Sequence, residues 1–270
     1  MLKHFILGVD FSDGWGNAEH LLSTMIETLG IEKLTLVCVD EIHRWQKKKV
    51  DESASLSVKL RQKAEDVEER FGVAVDYAVR EGFPASELIK AGNEVNADGI
   101  IVTNQSHSVY RAFFLGNVAL NLTRMAHVPV LILPVDGVGT DDGAPVLLGT
   151  DCSKAASKAE AYFEHIVESG VPGEVLLVDP QNIEAATEED KAHAEAIAKR
   201  HAANVGFTCL EGDPASMLTE HARLRKARLL IMGRRGRSDI AGLPLGSTSE
   251  TVCRLVTSPV MVVPQRIVRS

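Results

Sequence analysis

Short apolar runs alternate along this chain with stretches whose apolar residues recur every three to four positions. Phe5 to Val9 is a compact apolar run. Trp15 to Leu29 then places Ala18, Leu21, Leu22, Met25, Ile26 and Leu29 on one helical face and stops at Gly30. Leu34 to Val39 predicts a second strand, and Leu56 to Phe71, beyond a polar loop, a charged amphipathic helix. Val73 to Val79 predicts a third strand, and Ala85 to Val95 a helix entered through Phe83-Pro84. Ile100 to Val102 and Val130 to Leu133 complete the set, with a helix over about 117–126 between them. Strands that read as continuous apolar runs and alternate with helices predict a parallel sheet covered on both faces.

The same order then recurs. Gly82-Phe83-Pro84-Ala85-Ser86 returns 130 residues later as Gly212-Asp213-Pro214-Ala215-Ser216. Gly116, Pro129 and Pro134 keep that offset with Gly246, Pro259 and Pro264. Nearer the start, Gly8-Val9-Asp10-Phe11-Ser12 matches Gly149-Thr150-Asp151-Cys152-Ser153 at an offset of 141, and Val39-Asp40 matches Val178-Asp179 at 139. Most of the first copy's extra length therefore falls after its second strand. Two tandem domains are expected, 1–135 and 146–270, joined by a glycine-rich polar linker over 136–145. A linker of about ten residues spans at most ~35 Å.

Candidate chemistry concentrates in 229–264. The apolar run Leu229 to Met232 stops at Gly233; Gly236 follows, and Gly246-Ser247 opens a helix-like stretch from Thr248 to Val256. Bare backbone N–H groups, the positive end of a helix and a hydroxyl would then surround one point, an arrangement suited to phosphate oxygens. Ser247-Thr248-Ser249-Glu250 also fits a capping box, with Glu250 reaching back to the Ser247 amide. The two readings are compatible.

The spacing Gly-x2-Gly-x9-Gly-Ser, flanked by strand-like runs and followed by Ser258-Pro259-Val260, resembles the nucleotide-binding signature of the universal stress protein family. The resemblance covers nearly the whole chain as a tandem pair. It implies two Rossmann-like α/β domains of the adenine-nucleotide alpha-hydrolase type. Each would hold a five-stranded parallel sheet of order 3-2-1-4-5 with helices on both faces, the two associating through their last strands as an intrachain pseudo-dimer. A homodimer is also expected.

By the same resemblance, ATP or another adenine nucleotide would sit at the carboxyl ends of the second-repeat strands, among Thr150, Asp151, Val178 and Met232. Asp151 would lie against the nucleoside, and backbone near Val178 would read adenine. The Gly233 and Gly236 backbone would approach the phosphates, with Gly246 opening the helix and Ser247 and Thr248 hydrogen-bonding them. Arg234, Arg235 and Arg237 are candidates to supply charge, and Mg²⁺ would accompany a triphosphate. In the first repeat Asp10 and Val39 persist. The glycine loop, however, has become Thr103-Asn104-Gln105-Ser106, and Gly116 is followed by Asn117 instead of serine. Each added Cβ is expected to cost ~1–3 kcal/mol, so this first site is read as degenerate.

Composition narrows the alternatives. A net charge of -8 argues against a general nucleic-acid binder, although the loop containing Trp45 and Lys47 to Lys49 could contact an anionic ligand or a partner protein. Cys38, Cys152, Cys209 and Cys253 form no Cys-x-x-Cys pair and read as small buried residues; His43 and His107 give no metal spacing. No stretch approaches the ~18 apolar residues of a membrane span, and a cytoplasmic location is expected. The chain carries no phosphate loop of the Gly-x4-Gly-Lys type, no His-Glu-x2-His and no Gly-x-Ser-x-Gly. No catalytic residue is assigned. A nucleotide-regulated stress protein is the first reading, a nucleotide-independent scaffold acting through the first domain the second, and a slow ATP hydrolase the third.

Overall fold

A computed structural model describes residues 2–11, 15–41, 50–104, 117–135, 143–180, 186–237 and 244–267. The first repeat contains β1 (His4–Gly8), α1 (Trp15–Leu29), β2 (Lys33–Glu41), α2 (Val50–Phe71), β3 (Ala74–Gly82), α3 (Pro84–Glu94), β4 (Gly99–Asn104), α4 (Asn117–Met125) and β5 (Val130–Pro134). The second contains β6 (Val146–Thr150), α5 (Ser157–Val167), β7 (Gly173–Asp179), α6 (Glu188–Arg200), β8 (Val205–Glu211), α7 (Pro214–Leu224), β9 (Leu229–Gly233), α8 (Ser247–Leu255) and β10 (Val260–Val263). Pattern and structure differ chiefly at the ends of elements. Strands β2 and β3 run longer than their apolar cores because they stay in register from Lys33↔Ala74 to Glu41↔Gly82.

All ten strands form one sheet, in the order β3-β2-β1-β4-β5-β10-β9-β6-β7-β8. Each half keeps the expected 3-2-1-4-5 order with parallel neighbours, and the halves meet where β5 and β10 pair antiparallel. In that seam Leu131 faces Met261, its own counterpart in the repeat, while Val130 faces Val262 and Ile132 faces Val260. A pseudo-twofold axis therefore passes through the Leu131–Met261 pair.

Alternation along the strands divides the core between the two faces. Phe5, Leu7, Leu131, Leu133, Val146, Leu148, Met261 and Val263 pack with α1, α2, α5 and α6. Ile6, Val130, Ile132, Leu147, Leu230, Val260 and Val262 pack with α3, α4, α7 and α8. Both layers continue across the seam. This explains why β5 and β10 are buried along their whole lengths.

The repeats also share backbone conformations that are costly for a side chain. Phe11 (φ 54°) and Cys152 (φ 58°) occupy equivalent turns after the first strand of each half, and Asn96 (φ 52°) and Lys226 (φ 47°) equivalent turns after α3 and α7. A left-handed non-glycine residue costs on the order of 1 kcal/mol. Its retention at matching positions shows that the turn out of the first strand, which carries Asp10 or Asp151, is a common feature of both copies.

Candidate functional site

At the carboxyl ends of β6, β7 and β9, where open α/β sheets place their ligands, lies a cleft of about 270 Å³. Thr150, Asp151, Val178, Met232, Gly233, Gly236, Arg237, Gly246, Ser247 and Thr248 all border it. One wall is apolar, formed by Leu177, Val178, Leu218 and Met232. The glycine segment and the first turn of α8 also line the cleft.

Close approach, not left-handed backbone, explains the first two glycines. A Cβ on Gly233 would stand 2.9 Å from the Arg235 carbonyl oxygen and 3.2 Å from Ala156 Cα. One on Gly236 would collide with Asp151 Oδ2. Neither glycine has a positive φ. These positions need glycine volumes.

Asp151 ties the segment down. Its Oδ2 accepts the Arg237 backbone N–H in a short hydrogen bond, and its Oδ1 accepts the Ser153 N–H at 3.1 Å. The Arg237 guanidinium donates to the Asp151 carbonyl at 2.8 Å and pairs with Asp190 on α6 at 2.7 Å. Burial alone would raise the Asp190 carboxyl. The Arg237 hydrogen bond, with side-chain and backbone donors from Thr187, outweighs it and holds the group at about 2.

The capping-box reading of α8 does not hold. Gly246 is the N-cap and supplies no side-chain hydrogen bond, while Glu250 pairs with Arg254 at 2.7 Å and with Arg124 of the first repeat at 2.9 Å. A helix opened by glycine presents its first N–H groups without a side-chain cap. Those groups border the cleft beside Ser247 and Thr248. Ser249, which sequence reasoning missed, anchors the turn by donating from Oγ to the Gly233 carbonyl at 2.9 Å.

The three arginines separate. Arg235 borders the cleft, and Arg237 is the partner of Asp190 just described. Arg234, expected among the nucleotide-binding residues, is turned away. Its backbone N–H bonds the Val263 carbonyl at 2.7 Å, and its Nη1 donates to the Ala126 carbonyl at 2.9 Å and the Arg124 carbonyl at 3.4 Å, at the end of α4. Burial, and then the Arg235 charge, lower its pKa. Three arginines within four residues carry no periodicity that could have shown which one faces inward.

Thr150 is buried, and its hydroxyl serves the layer beneath the cleft. It accepts the Cys152 N–H at 2.9 Å and donates to Glu160 Oε1 at 2.6 Å. Glu160 in turn lies 3.0 Å from His193 Nε2. Burial, followed by the nearby Glu160 and Asp190 charges, pushes the Cys152 thiol up to about 12.

In the first repeat, Asp10 is exposed and Val39 half-buried. Thr103 stands at the position of Gly233, and β4 runs one residue further than β9, so that Asn104 pairs with Pro134. Ser106, Gly116, His43, His107, Trp45 and Lys47 to Lys49 lie outside the described residues, as do 136–142 of the expected linker. Asn117 begins α4. Cys38 and Cys253 are buried as expected, but Cys209 is exposed on the edge strand β8. Among the described residues no helix is long and apolar enough to cross a membrane.

Two doubly wound α/β repeats fused into one sheet, with a glycine-lined cleft at the strand ends of the second, define a tandem Rossmann-like protein. The universal stress protein family model matches residues 1–134 and again 137–264. The chain belongs to that family. A universal stress protein of Mycolicibacterium smegmatis is 29% identical over 234 residues, covering 80% of this chain and 78% of that one. A Mycobacterium tuberculosis universal stress protein is 31% identical over 166 residues, or 55% of each chain. Among solved structures, a universal stress protein of Archaeoglobus fulgidus superimposes with a TM-score of 0.78 at 22% identity, over 98% of this chain and 99% of the other. A Pseudomonas aeruginosa protein described as functionally unknown gives 0.69 at 16% identity over 98% and 93%. At these identities the two structures speak for the fold.

Proposed function

We propose that the second-repeat cleft binds an adenine nucleotide, ATP in the first instance, and that occupancy serves as a regulatory or assembly signal in a cytoplasmic stress response. The observation that carries the reading is the glycine-capped first turn of α8, which faces the same cleft as the Gly233–Gly236 backbone. Uncapped helix N–H groups favour phosphate oxygens. The apolar wall of Val178, Leu218 and Met232 suits a flat base, and Arg235 supplies charge. Ser247 and Thr248 stand as phosphate donors. A bound triphosphate would bring Mg²⁺ with it.

In this reading the chain divides into domains at 1–135 and 146–270 joined by 136–145, and only the second holds nucleotide. Thr103 is the reason within the described residues. At the equivalent Gly233, a Cβ would strike backbone at 2.9 Å, which no rotamer relieves. Coupling to the assembly runs through Arg234, which joins the glycine segment to the end of α4. A ligand biases such a contact only by binding one arrangement more tightly than the other.

The test is to denature the purified protein, quantify released nucleotide, and titrate the emptied protein with ATP and AMP. One adenine nucleotide per chain, lost in Gly236→Val, is the expected result. Two per chain would sink the claim of a degenerate first site, and no binding at all would make the glycine segment purely structural.

A further inference from the structure

Beneath the cleft, three side chains from three separate elements converge. Cys152 leaves the turn after β6, Glu160 comes from α5 and His193 from α6, and their Sγ, carboxylate oxygen and imidazole nitrogen all lie within 4.8 Å of one another. Glu160 is buried and His193 about half-exposed, so the group has a protein side and a solvent side. The turn that aims Cys152 inward keeps a left-handed φ of 58°. Thr150 donates to Glu160 Oε1 and leaves Oε2 facing His193. A hydroxyl that fixes one carboxylate oxygen and frees the other is the arrangement by which outer partners orient a metal ligand.

The first repeat supplies an internal comparison. Glu19 is the counterpart of Glu160, Phe11 of Cys152 and Lys63 of His193; the flanking buried pairs Ala64 with Ala194 and Val67 with Ile197 keep the same 130-residue offset as Lys63 and His193. There the carboxylate is neutralised by permanent cations, in short ion pairs with Lys63 and Arg70. In the second repeat the lysine has become an imidazole and the phenylalanine a thiol. The same carboxylate position, partly exposed in the first repeat and buried in the second, has exchanged a fixed ammonium for two groups that ligate metals.

We infer that Cys152, Glu160 and His193 form a binding site for a borderline-soft divalent cation of the Zn²⁺ class. Sulfur, nitrogen and oxygen from one residue each is a donor set suited to Zn²⁺ and poor for Mg²⁺ or Ca²⁺. Bond lengths of ~2.0–2.3 Å would bring the three donors to about 3.5 Å apart in tetrahedral geometry, a modest contraction from the observed cluster. Three protein ligands leave the fourth position to solvent on the side of His193. Cys152 binds as thiolate, its proton passing to solvent as the S–Zn bond forms. The inference does not rest on nucleotide binding. Thr150 links the two sites, and so does Asp190, whose carbonyl accepts from Cys152 Sγ at 3.2 Å and whose carboxylate pairs with Arg237.

The full chain, stripped with chelator and desalted, is titrated with Zn²⁺ alone by calorimetry and with Co²⁺ by absorbance. One metal per chain is expected, with a thiolate-to-Co²⁺ charge-transfer band and the visible bands of a tetrahedral ion. Cys152→Ser should abolish that band, and His193→Lys, which reproduces the ion pair of the first repeat and so preserves folding, should weaken Zn²⁺ by about tenfold or more. Absence of binding, a Co²⁺ spectrum without thiolate character, a band that survives Cys152→Ser, or unchanged affinity in His193→Lys would each overturn the assignment.

Discussion

Arg234 in the second repeat donates from Nη1 to the Ala126 carbonyl of the first repeat at 2.9 Å. The counterpart of Arg234 in the first repeat is Asn104, a shorter and uncharged side chain. The pseudo-twofold is therefore broken at the point where the glycine segment meets the other half.

Removing this contact should weaken the seam rather than the cleft. Arg234→Ala is expected to cost ~1.5–3 kcal/mol, the range for hydrogen bonds involving a charged group, reduced by the relief of a buried guanidinium. Denaturant titration should show a lower midpoint with an unchanged slope. By contrast Glu250→Gln, which breaks the half-exposed pair with Arg124, should cost no more than about 1 kcal/mol and lose its effect in high salt.

The two close-approach glycines should respond differently to alanine. Gly233→Ala meets backbone at 2.9 Å and should destabilise by about 2 kcal/mol with no rescue available. Gly236→Ala meets the Asp151 carboxylate, a side chain that can rotate away. Adding Asp151→Ala to Gly236→Ala should therefore cost less than the sum of the single changes, by about 1 kcal/mol in a double-mutant cycle. Additivity within error would count against steric contact between them.

Stability should fall with acid in a defined window. Asp190 has a folded pKa of about 2, below its unfolded value. Its contribution is therefore present above the unfolded value of ~4 and is lost as pH falls through about 2; folded and unfolded states bind the same proton only below both values. Thermal unfolding of Asp190→Asn followed from pH 5 to 2.5 should decline less steeply than that of the parent. Parallel curves would show that the pair with Arg237 contributes nothing.

The four thiols should fall into classes by exposure. Cys209, exposed on β8, should be the first to react with a disulfide reagent at neutral pH. Cys253 is fully buried; burial, then the Glu250 charge, pushes its thiol to about 12, and burial raises Cys38 to about 11. Both should react only on unfolding. Rapid titration of all four in the native protein would contradict the packing described here.

Much of this was legible in the pattern of residues. Strands buried on both faces must be apolar at every position, so Leu229 to Met232 or Val130 to Leu133 could be read without knowing their partners. The tandem repeat showed itself through glycines and prolines, whose backbone roles tolerate little exchange, as at Gly82 and Gly212 with φ of 148° and 139°. Side-chain direction was not legible. Ser247 looked like a cap because its neighbours fit a capping box, yet Gly246 holds that position. Cys152, Glu160 and His193 have no metal-like spacing because each comes from a different element, and only the packing of α5 against β6 and of α6 against β7 and β8 brings them together.

Pairing Leu131 with Met261 makes the sheet's central joint an event within one molecule. Loop closure, not encounter between chains, brings the two strands together, so the joint should form at a rate independent of protein concentration and survive any dilution. Each half acts as a template for the other's last strand. Severed, the same two apolar edges would become sticky ends, each ready to pair with whatever strand arrives first.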